Sequence, residues 1–267
     1  MPPSQTSGTA LLNEIALAEL VRSAGDPELT EDLALALLKR SDLPAEALER
    51  LAKNVNLVSS RKVKIAVASH PHTPRHVSVS LSRQFYTFDL MKVALSPSVP
   101  ADVKVAIDTV LISRLSAVTA GERLTLARRA SGRVAAMLLT DITGRNGKTA
   151  FHEVAGGKMK NSETAARETR VMRVALDNPR LTEPLVIKAI LRLDASEALI
   201  SVVAQHEKWS LREEIRAALL RTEYLSLARA LEFIQGIPMA ALQEVLGSSR
   251  LPLKFKEHLL RERTVKS

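Results

Sequence analysis

Apolar positions recur along this chain in stretches of about ten residues, each followed by a short turn. A helix of that length plus a turn occupies about 14 residues, so two helices occupy about 28. Only one segment, 77–81, alternates in the manner of a strand, and its position after a proline favours a helix there too. The predicted helices cover 10–23, 30–39, 44–53, 60–69, 74–85, 88–95, 100–115, 120–129, 132–140, 162–176, 183–192, 196–205, 211–220, 223–234, 238–246 and 252–262.

Four seven-residue segments between these helices are nearly equivalent, and they begin at Ala24, Ala68, Ala94 and Leu176. A fifth, beginning at Ala204, keeps the frame but lacks the proline. The proline ends the preceding helix, because the residue before a proline is disfavoured in the helical region. The apolar residue two positions later is predicted to be buried between the two helices. These plug positions are Leu29, Val99, Leu181 and Trp209.

Turn residues in the same frame also predict where the following helices begin. Thr30, Thr182 and Ser210 are suitable N-caps, and Ser210 with Glu213 matches a capping box. The proline or its equivalent falls at 179, 207 and 235, in steps of 28 residues. The sequence therefore predicts an all-α fold, an alpha-solenoid of stacked two-helix repeats with a period of about 28 residues.

The repeat is interrupted once, between Asp141 and about Asn161. Residues 142–160 contain four glycines and four Lys/Arg but only one acidic residue, Glu153. We predict a mobile insertion loop at 142–161, followed by a lengthened helix. Residues 1–8 are predicted to be a disordered tail, and residues 9–267 a single helical-repeat domain.

The composition restricts the chemistry that is available to the protein. There is no cysteine, which excludes disulfides and thiolate metal sites and fits a reducing cytoplasm. Only eight residues are aromatic, so the core must be built from aliphatic side chains. No stretch approaches the ~20 apolar residues of a membrane helix, and the N-terminus does not resemble a signal peptide. We expect a cytoplasmic protein.

The charge is strongly positive, with a formal net charge of +9 and a pI of about 10. Acidic partners are therefore expected, whether protein or nucleic acid. Residues 59–88 contain five Lys/Arg and no Asp or Glu, and further arginines cluster near 130. Solvated outer helices would also account for such residues. The candidate basic binding surface consists of Arg61, Lys62, Lys64, Arg75, Arg83, Arg128, Arg129, Arg133, Arg145, Lys148, Lys158 and Lys160.

No catalytic, cofactor or metal motif is complete. The segment 144–149 resembles the end of a phosphate-binding loop but lacks the first glycine and the preceding strand. His152 and His206 are each followed by glutamate, yet neither completes a zinc-protease motif. His70, His72 and His76 surround a proline turn, and we interpret them as solvent-facing turn residues. We therefore predict no catalytic, cofactor-binding or metal-binding residues.

The repeated turns resemble a known class of proteins. Together with the segments 126–133 (LARRASGR) and 174–179 (VALDNP), they are similar to bacterial alpha-solenoids of the HEAT-like and leucine-rich-repeat-variant kind. They are especially similar to an uncharacterised bacterial family of short helical repeats. The resemblance covers about 24–262 apart from the insertion, and it implies an architecture without catalytic residues. Leucine-rich-repeat-variant proteins can carry a cysteine-ligated iron–sulfur cluster, which this chain has no cysteine to bind.

Two functional hypotheses remain. The first is a non-enzymatic scaffold that binds a protein partner, with an acidic segment fitting the net charge. The alternative is electrostatic, sequence-independent nucleic-acid binding along a basic face. A DNA-glycosylase-like activity is less favoured, because it would need a carboxylate and stacking aromatic residues on one face. The oligomeric state is not predicted.

Overall fold

The computed structural model describes residues 16–57, 59–140 and 157–265, and these residues form helices and turns without a strand. The all-α prediction is confirmed. The one segment with strand-like alternation, 77–81, lies within a helix. No helix in the described part of the chain combines the length and the apolar character needed to cross a membrane. The predicted tail at 1–8 lies outside the described residues.

The helices group into two compact units that divide between Ser113 and Arg114, and each unit is described by itself. The described helices of the first unit are α1 (16–24), α2 (Glu31–Leu37), α3 (Ala45–Lys53), α4 (Arg61–Ser69), α5 (Arg75–Ser82), α6 (Thr87–Leu95) and α7 (Ala101–Ser113).

The second unit continues the same alternation of short helices and turns. Its described helices are α8 (Ala120–Arg129), α9 (Gly132–Leu139), α10 (Gly157–Leu176), α11 (Glu183–Ile190), α12 (Glu197–Gln205), α13 (Glu213–Leu220), α14 (Leu227–Phe233), α15 (Met239–Gly247) and α16 (Leu253–Val265). A short 3-10 turn, Ile234–Gly236, separates α14 from α15.

Packing follows the order of the helices along the chain. In the first unit α2 packs on α4 and α4 on α6, while α5 packs on α7. In the second unit α8, α10 and α12 pack in succession, and so do α9, α11, α13 and α15. Small and aliphatic side chains fill the space between them, as the scarcity of aromatic residues requires. The four plug positions (Leu29, Val99, Leu181 and Trp209) are all buried, as predicted.

The three predicted N-caps have different outcomes, and Thr182 is the N-cap of α11 without a side-chain cap bond. Thr30 caps α2 through its hydroxyl, which accepts the Leu33 N–H. The predicted capping box at Ser210 is wrong, because Arg212 is the N-cap of α13 and makes no side-chain cap bond. The carbonyl of Ser210 instead accepts from Arg216 Nε. A capping box is present at α8, between Thr119 and Glu122.

A polar side chain just after a helix end connects neighbouring turns. Asn178 shows the arrangement: its Nδ2 donates to the carbonyls of Ala127 (2.8 Å) and Ala130 (3.1 Å). Its Oδ1 accepts the N–H of Arg180, two residues further on. The side chain thus closes its own turn and holds it against the end of α8. We call residues that make both kinds of bond bridging residues.

Four more residues, Asn54, His70, His206 and Ser249, are bridging residues. Asn54 donates to Asp26 O at 2.8 Å, and Ser249 donates to Leu220 O at 2.6 Å. His70 donates from Nε2 to Arg40 O at 2.8 Å, and His206 Nε2 lies 3.1 Å from Asp177 Oδ1. Each also accepts the N–H two residues ahead. The partners of these four are 28 to 30 residues back along the chain.

The interruption of the repeat falls between α9 and α10. The predicted insertion loop at 142–161 is wrong at its end, because α10 already begins at Gly157 and runs for 20 residues. Residues 141–156 lie outside the described part of the chain. The C-terminal part of α10 packs with α8, α9 and α12, whereas the side chains of residues 163–167 are exposed. The lengthened helix was expected, although its start lies five residues before 162.

Candidate basic interaction surface

The basic residues predicted in the first unit are engaged with neighbours. Arg61 forms a two-pronged ion pair with the buried carboxylate of Asp89, with N···O distances of 2.7 and 2.8 Å. Its guanidinium also lies 5.0 Å from the ring centre of Tyr86. Lys62 Nζ lies 3.2 Å from the Glu31 carboxylate. The pKa of Glu31 is lowered by a hydrogen bond from Ser60 and, secondly, by Lys62.

The other three cations of this stretch are engaged as well. Lys64 Nζ donates to Gln84 Oε1 at 2.8 Å, and Arg75 lies 3.4 Å from the Asp102 carboxylate. Arg83 also makes a polar interaction. Although residues 59–88 contain no acid, carboxylates from outside that stretch neutralise three of its five cations. The first unit therefore does not present these residues as a free basic stripe.

Three predicted arginines of the second unit lie around one turn. Arg128 and Arg129 end α8, Arg133 is in the first turn of α9, and all three side chains are exposed. Arg180 joins them, because its Nη1 donates to Arg129 O at 3.3 Å. We call Arg128, Arg129, Arg133 and Arg180 the arginine cluster.

Gly132 explains how the cluster is held together. A β-carbon at this position would overlap the carbonyl oxygen of Arg180, so only glycine allows the turn after α10 to approach the start of α9 this closely. Asn178 holds the same turn to the end of α8 through its two bonds. The close backbone approach at Gly132 and the two side-chain bonds of Asn178 therefore bring Arg180 next to Arg129 and Arg133.

No carboxylate in the described ranges forms an ion pair with the arginine cluster. The two nearest acids along the chain have other partners: Asp177 faces His206, and Glu183 Oε2 lies 3.1 Å from Arg212 Nη1. Arg128 and Arg129 also face the negative end of the α8 dipole, a favourable position for cations. The helix dipole therefore accounts in part for the positions of Arg128 and Arg129. All four exposed guanidinium groups of the cluster still have no counterion among the described residues.

The remaining predicted basic residues are at or near the interruption. Arg145 and Lys148 lie outside the described residues. Lys158 and Lys160 lie in the first turn of α10. Arg180 was missed by the sequence analysis, although it follows a cassette proline directly. Arg180 belongs to the cluster because its turn lies against the turn between α8 and α9. No local sequence pattern indicates which turns will be neighbours.

The interpretation of the three first-unit histidines as solvent-facing is wrong for His70. Its side chain is buried, with Nε2 donating to Arg40 O and Nδ1 accepting from the His72 N–H. Both ring nitrogens are thereby occupied. His72 and His76 are exposed, and His76 lies 3.5 Å from Glu49, an acid one helix pair away. His70 therefore has a structural position between turns.

Comparisons with protein-family models, with curated proteins and with solved structures find no match for this chain.

Proposed function

We propose that each unit is an alpha-solenoid of stacked two-helix repeats with a period of about 28 residues. The bridging residues support this architecture, because four of them bond to partners 28 to 30 residues away. The packing of helices on their second neighbours supports it too. Asn178 departs from the spacing, with partners 48 and 51 residues back, because the interruption lies between.

On this architecture we propose a non-enzymatic scaffold that binds an acidic segment of a protein partner at the arginine cluster. The observation that carries the proposal is a contrast between two sets of predicted basic residues. Three of the five predicted cations of the first unit face carboxylates, whereas the four guanidinium groups of the cluster face none that is described. Arginine presents its donors in a planar fork that matches a carboxylate. The proposed location is the cytoplasm, which a chain without cysteine suits.

The charge distribution along the chain supports the same surface. Residues 1–113 contain twelve Lys/Arg and twelve Asp/Glu, so the net charge of +9 resides in residues 114–267. Within that part, residues 114–180 contain thirteen Lys/Arg against six Asp/Glu. The positive potential is therefore centred on the stretch that carries the arginine cluster, and it would attract an acidic segment before contact.

A compact cluster favours an acidic peptide over a nucleic-acid backbone. Sequence-independent duplex binding commonly relies on about six or more phosphate contacts spread along the helix. The predicted cations of the first unit are themselves engaged with neighbouring groups. Four arginines around one pair of turns suit a short run of carboxylates.

The test compares two labelled probes, polyglutamate of about 20 residues and duplex DNA of about 20 base pairs, by fluorescence anisotropy. The variant Arg128→Glu/Arg129→Glu/Arg133→Glu lowers the formal charge from +9 to +3. We expect it to bind polyglutamate at least about tenfold more weakly, because the local ion pairs are lost. Circular dichroism verifies that the variant remains helical.

The matched control is Arg22→Glu/Lys53→Glu/Lys92→Glu, which makes the same change of charge at three exposed cations of the first unit. We expect about a twofold effect or less, since the four guanidinium groups of the cluster remain and only the net charge changes. Equal losses in the two variants would show that net charge alone determines binding. Tighter binding of DNA than of polyglutamate, with the same dependence on the cluster, would replace this proposal by the nucleic-acid alternative.

A further inference from the structure

Three consecutive turns of the second unit lie side by side at one end of the helices. They are 191–196 after α11, 221–226 after α13 and 248–252 after α15. Arg250 joins them, since its N–H donates to Arg221 O at 3.0 Å and its Nη2 to Arg192 O at 3.4 Å. The bridging residue Ser249 adds its bond to Leu220 O. Helix α11 starts near the arginine cluster and ends at these turns. Because it has eight residues, these two ends are about 12 Å apart.

Exposed apolar side chains are concentrated on this row of turns. Leu193 is 89% exposed, Leu253 76% and Tyr224 46%. Of the six large apolar residues exposed in the described part of the second unit, five are in or next to these turns. We call them the apolar edge: Leu191, Leu193, Tyr224, Leu227 and Leu253.

The apolar edge is not needed to fill the core of its own turns. Leu225 and Leu251 are the apolar residues buried there, each 4% exposed. Single exposed apolar residues are common on protein surfaces, but a contiguous row of them usually marks an interaction site. Its side chains are thus available to another molecule.

Polar groups beside the apolar edge favour a partner that brings acceptors. Arg221 Nε is buried without a hydrogen-bond partner, and Arg250 and Lys254 are exposed. Three carboxylates lie in these turns and the first turn of α12: Asp194, Glu197 and Glu223. Of these, Asp194 is paired with Arg192. Hydrogen bonding to Glu223, followed by the charges of Glu223 and Glu197, raises the pKa of Tyr224. Cations and donors therefore remain in excess of free carboxylates.

The distance between successive turns indicates which backbone conformation of a partner fits them. Packed helices lie about 8–10 Å apart, so successive turns offer an apolar contact at about that interval. A polyproline-type extended chain has three residues per turn and a rise of about 3.1 Å, which repeats one face every ~9 Å. Such a chain also leaves its carbonyl oxygens free to accept from the exposed donors of Arg250 and Lys254.

We propose that the apolar edge binds an extended segment of a partner protein with apolar residues at every third position and carboxylates between them. This site is distinct from the arginine cluster. The proposal for the apolar edge does not depend on whether the cluster binds an acidic segment. The apolar residues contact Leu193, Tyr224 and Leu253, while the exposed donors of Arg250 and Lys254 bind backbone carbonyls and carboxylates of the segment.

The test uses two fluorescein-labelled peptides of about 11 residues with one composition of leucine, proline and aspartate. In the first peptide four leucines are spaced three positions apart, and in the second the same four leucines are spaced two positions apart. We expect the full chain to bind the first at least about tenfold more tightly, because only that spacing matches the turns. The variant Leu193→Ser/Tyr224→Ser/Leu253→Ser should lose this binding.

Two variants serve as controls. Leu211→Ser removes a leucine that is 70% exposed in a turn at the other end of the helices, and it should change affinity by about twofold or less. The glutamate variant of the arginine cluster should leave peptide binding within about twofold, which separates this proposal from the previous one.

Three outcomes would overturn the proposal. One is equal affinity for the two peptides, and another is unchanged affinity in the triple serine variant. The third is self-association, or binding to phosphatidylserine vesicles, that the triple serine variant abolishes while neither peptide binds. That result would assign the apolar edge to a second copy or to a membrane surface.

Discussion

Four of the five bridging residues (Asn54, His70, Asn178 and Ser249) are buried, and all five are bonded on two sides, so we expect their replacement to lower stability. Asn178 is 1% exposed and makes three hydrogen bonds to backbone atoms. An apolar side chain at this position would leave two buried carbonyl oxygens without a partner. Unsatisfied buried groups cost more than the hydrogen bonds contribute on balance.

We therefore expect Asn178→Ala to lower the free energy of unfolding by about 2–4 kcal/mol, combining lost hydrogen bonds with unsatisfied carbonyls. Denaturant unfolding followed by circular dichroism measures the change. The control Gln205→Ala removes an exposed amide that bonds only Ser201, and it should cost about 0.5 kcal/mol or less. Similar losses in both variants would contradict the special position of Asn178.

Two glycines provide a second comparison at the same scale. Gly132 faces the Arg180 carbonyl without room for a β-carbon, whereas a β-carbon at Gly121 meets nothing within 4 Å. Gly132→Ala should lower the free energy of unfolding by about 1–3 kcal/mol or more, since backbone must move. Gly121→Ala should raise it by about 0.5–1 kcal/mol through helix propensity. Thermal unfolding of both variants measures these two changes in stability. A change of the same sign in both variants would contradict the prediction.

Much of the residue-level structure follows from local sequence, and the rest depends on distant partners. The plug positions could be predicted because an apolar residue recurs at one frame position. The bridging residues could not be predicted from their type alone, since Asn, His and Ser share only the ability to donate and accept. Recognising them required the position of the neighbouring turn. Their recurrence just after a helix end was the signal that was available.

At the scale of elements, helix starts depend on side-chain geometry as well as on residue type. Thr119 and Glu122 form a full capping box, in which Glu122 Oε2 accepts from the Thr119 N–H at 2.8 Å and the Thr119 hydroxyl at 2.9 Å. Ser210 and Glu213 have the same spacing without forming one. The difference arises because two further residues intervene before α13 begins.

We expect Thr119→Ala to destabilise the protein by about 1 kcal/mol, as for other helix caps, and Ser210→Ala to have almost no effect. Urea unfolding of the two variants makes the comparison. A loss in Ser210→Ala as large as that in Thr119→Ala would mean that α13 starts earlier in solution.

The same capping box gives a pH dependence with a definite sign. Hydrogen bonds from Thr119, first from its backbone N–H and then from its hydroxyl, lower the pKa of Glu122. A carboxyl group whose pKa is lower in the folded state stabilises the fold above its unfolded pKa of about 4.3. That stabilisation is lost as the pH falls through the lower folded value.

At the scale of the whole molecule, charges could be counted from the sequence but not paired. A stretch of 30 residues without an acid, 59–88, indicated a basic face. Its cations meet Glu31, Asp89 and Asp102, which lie outside the stretch along the chain but on neighbouring helices. Around Arg129 the neighbouring acids have other partners instead: Asp177 faces His206 and Glu183 faces Arg212. These ion pairs of the first unit join residues 27 to 31 positions apart on neighbouring helices, so the window 59–88 does not contain both partners.

The spacing of the Asn178 bonds also has a consequence for the order of folding. Most bridging bonds close loops of 28 to 30 residues, but the bond from Asn178 to Ala127 closes one of 51. Closing the longer loop costs roughly 0.5 kcal/mol more chain entropy, which slows the encounter about twofold. Helices on each side of the interruption are therefore expected to assemble with their near neighbours first. The approach of α10 to α8 then follows as a later step in the folding of the second unit.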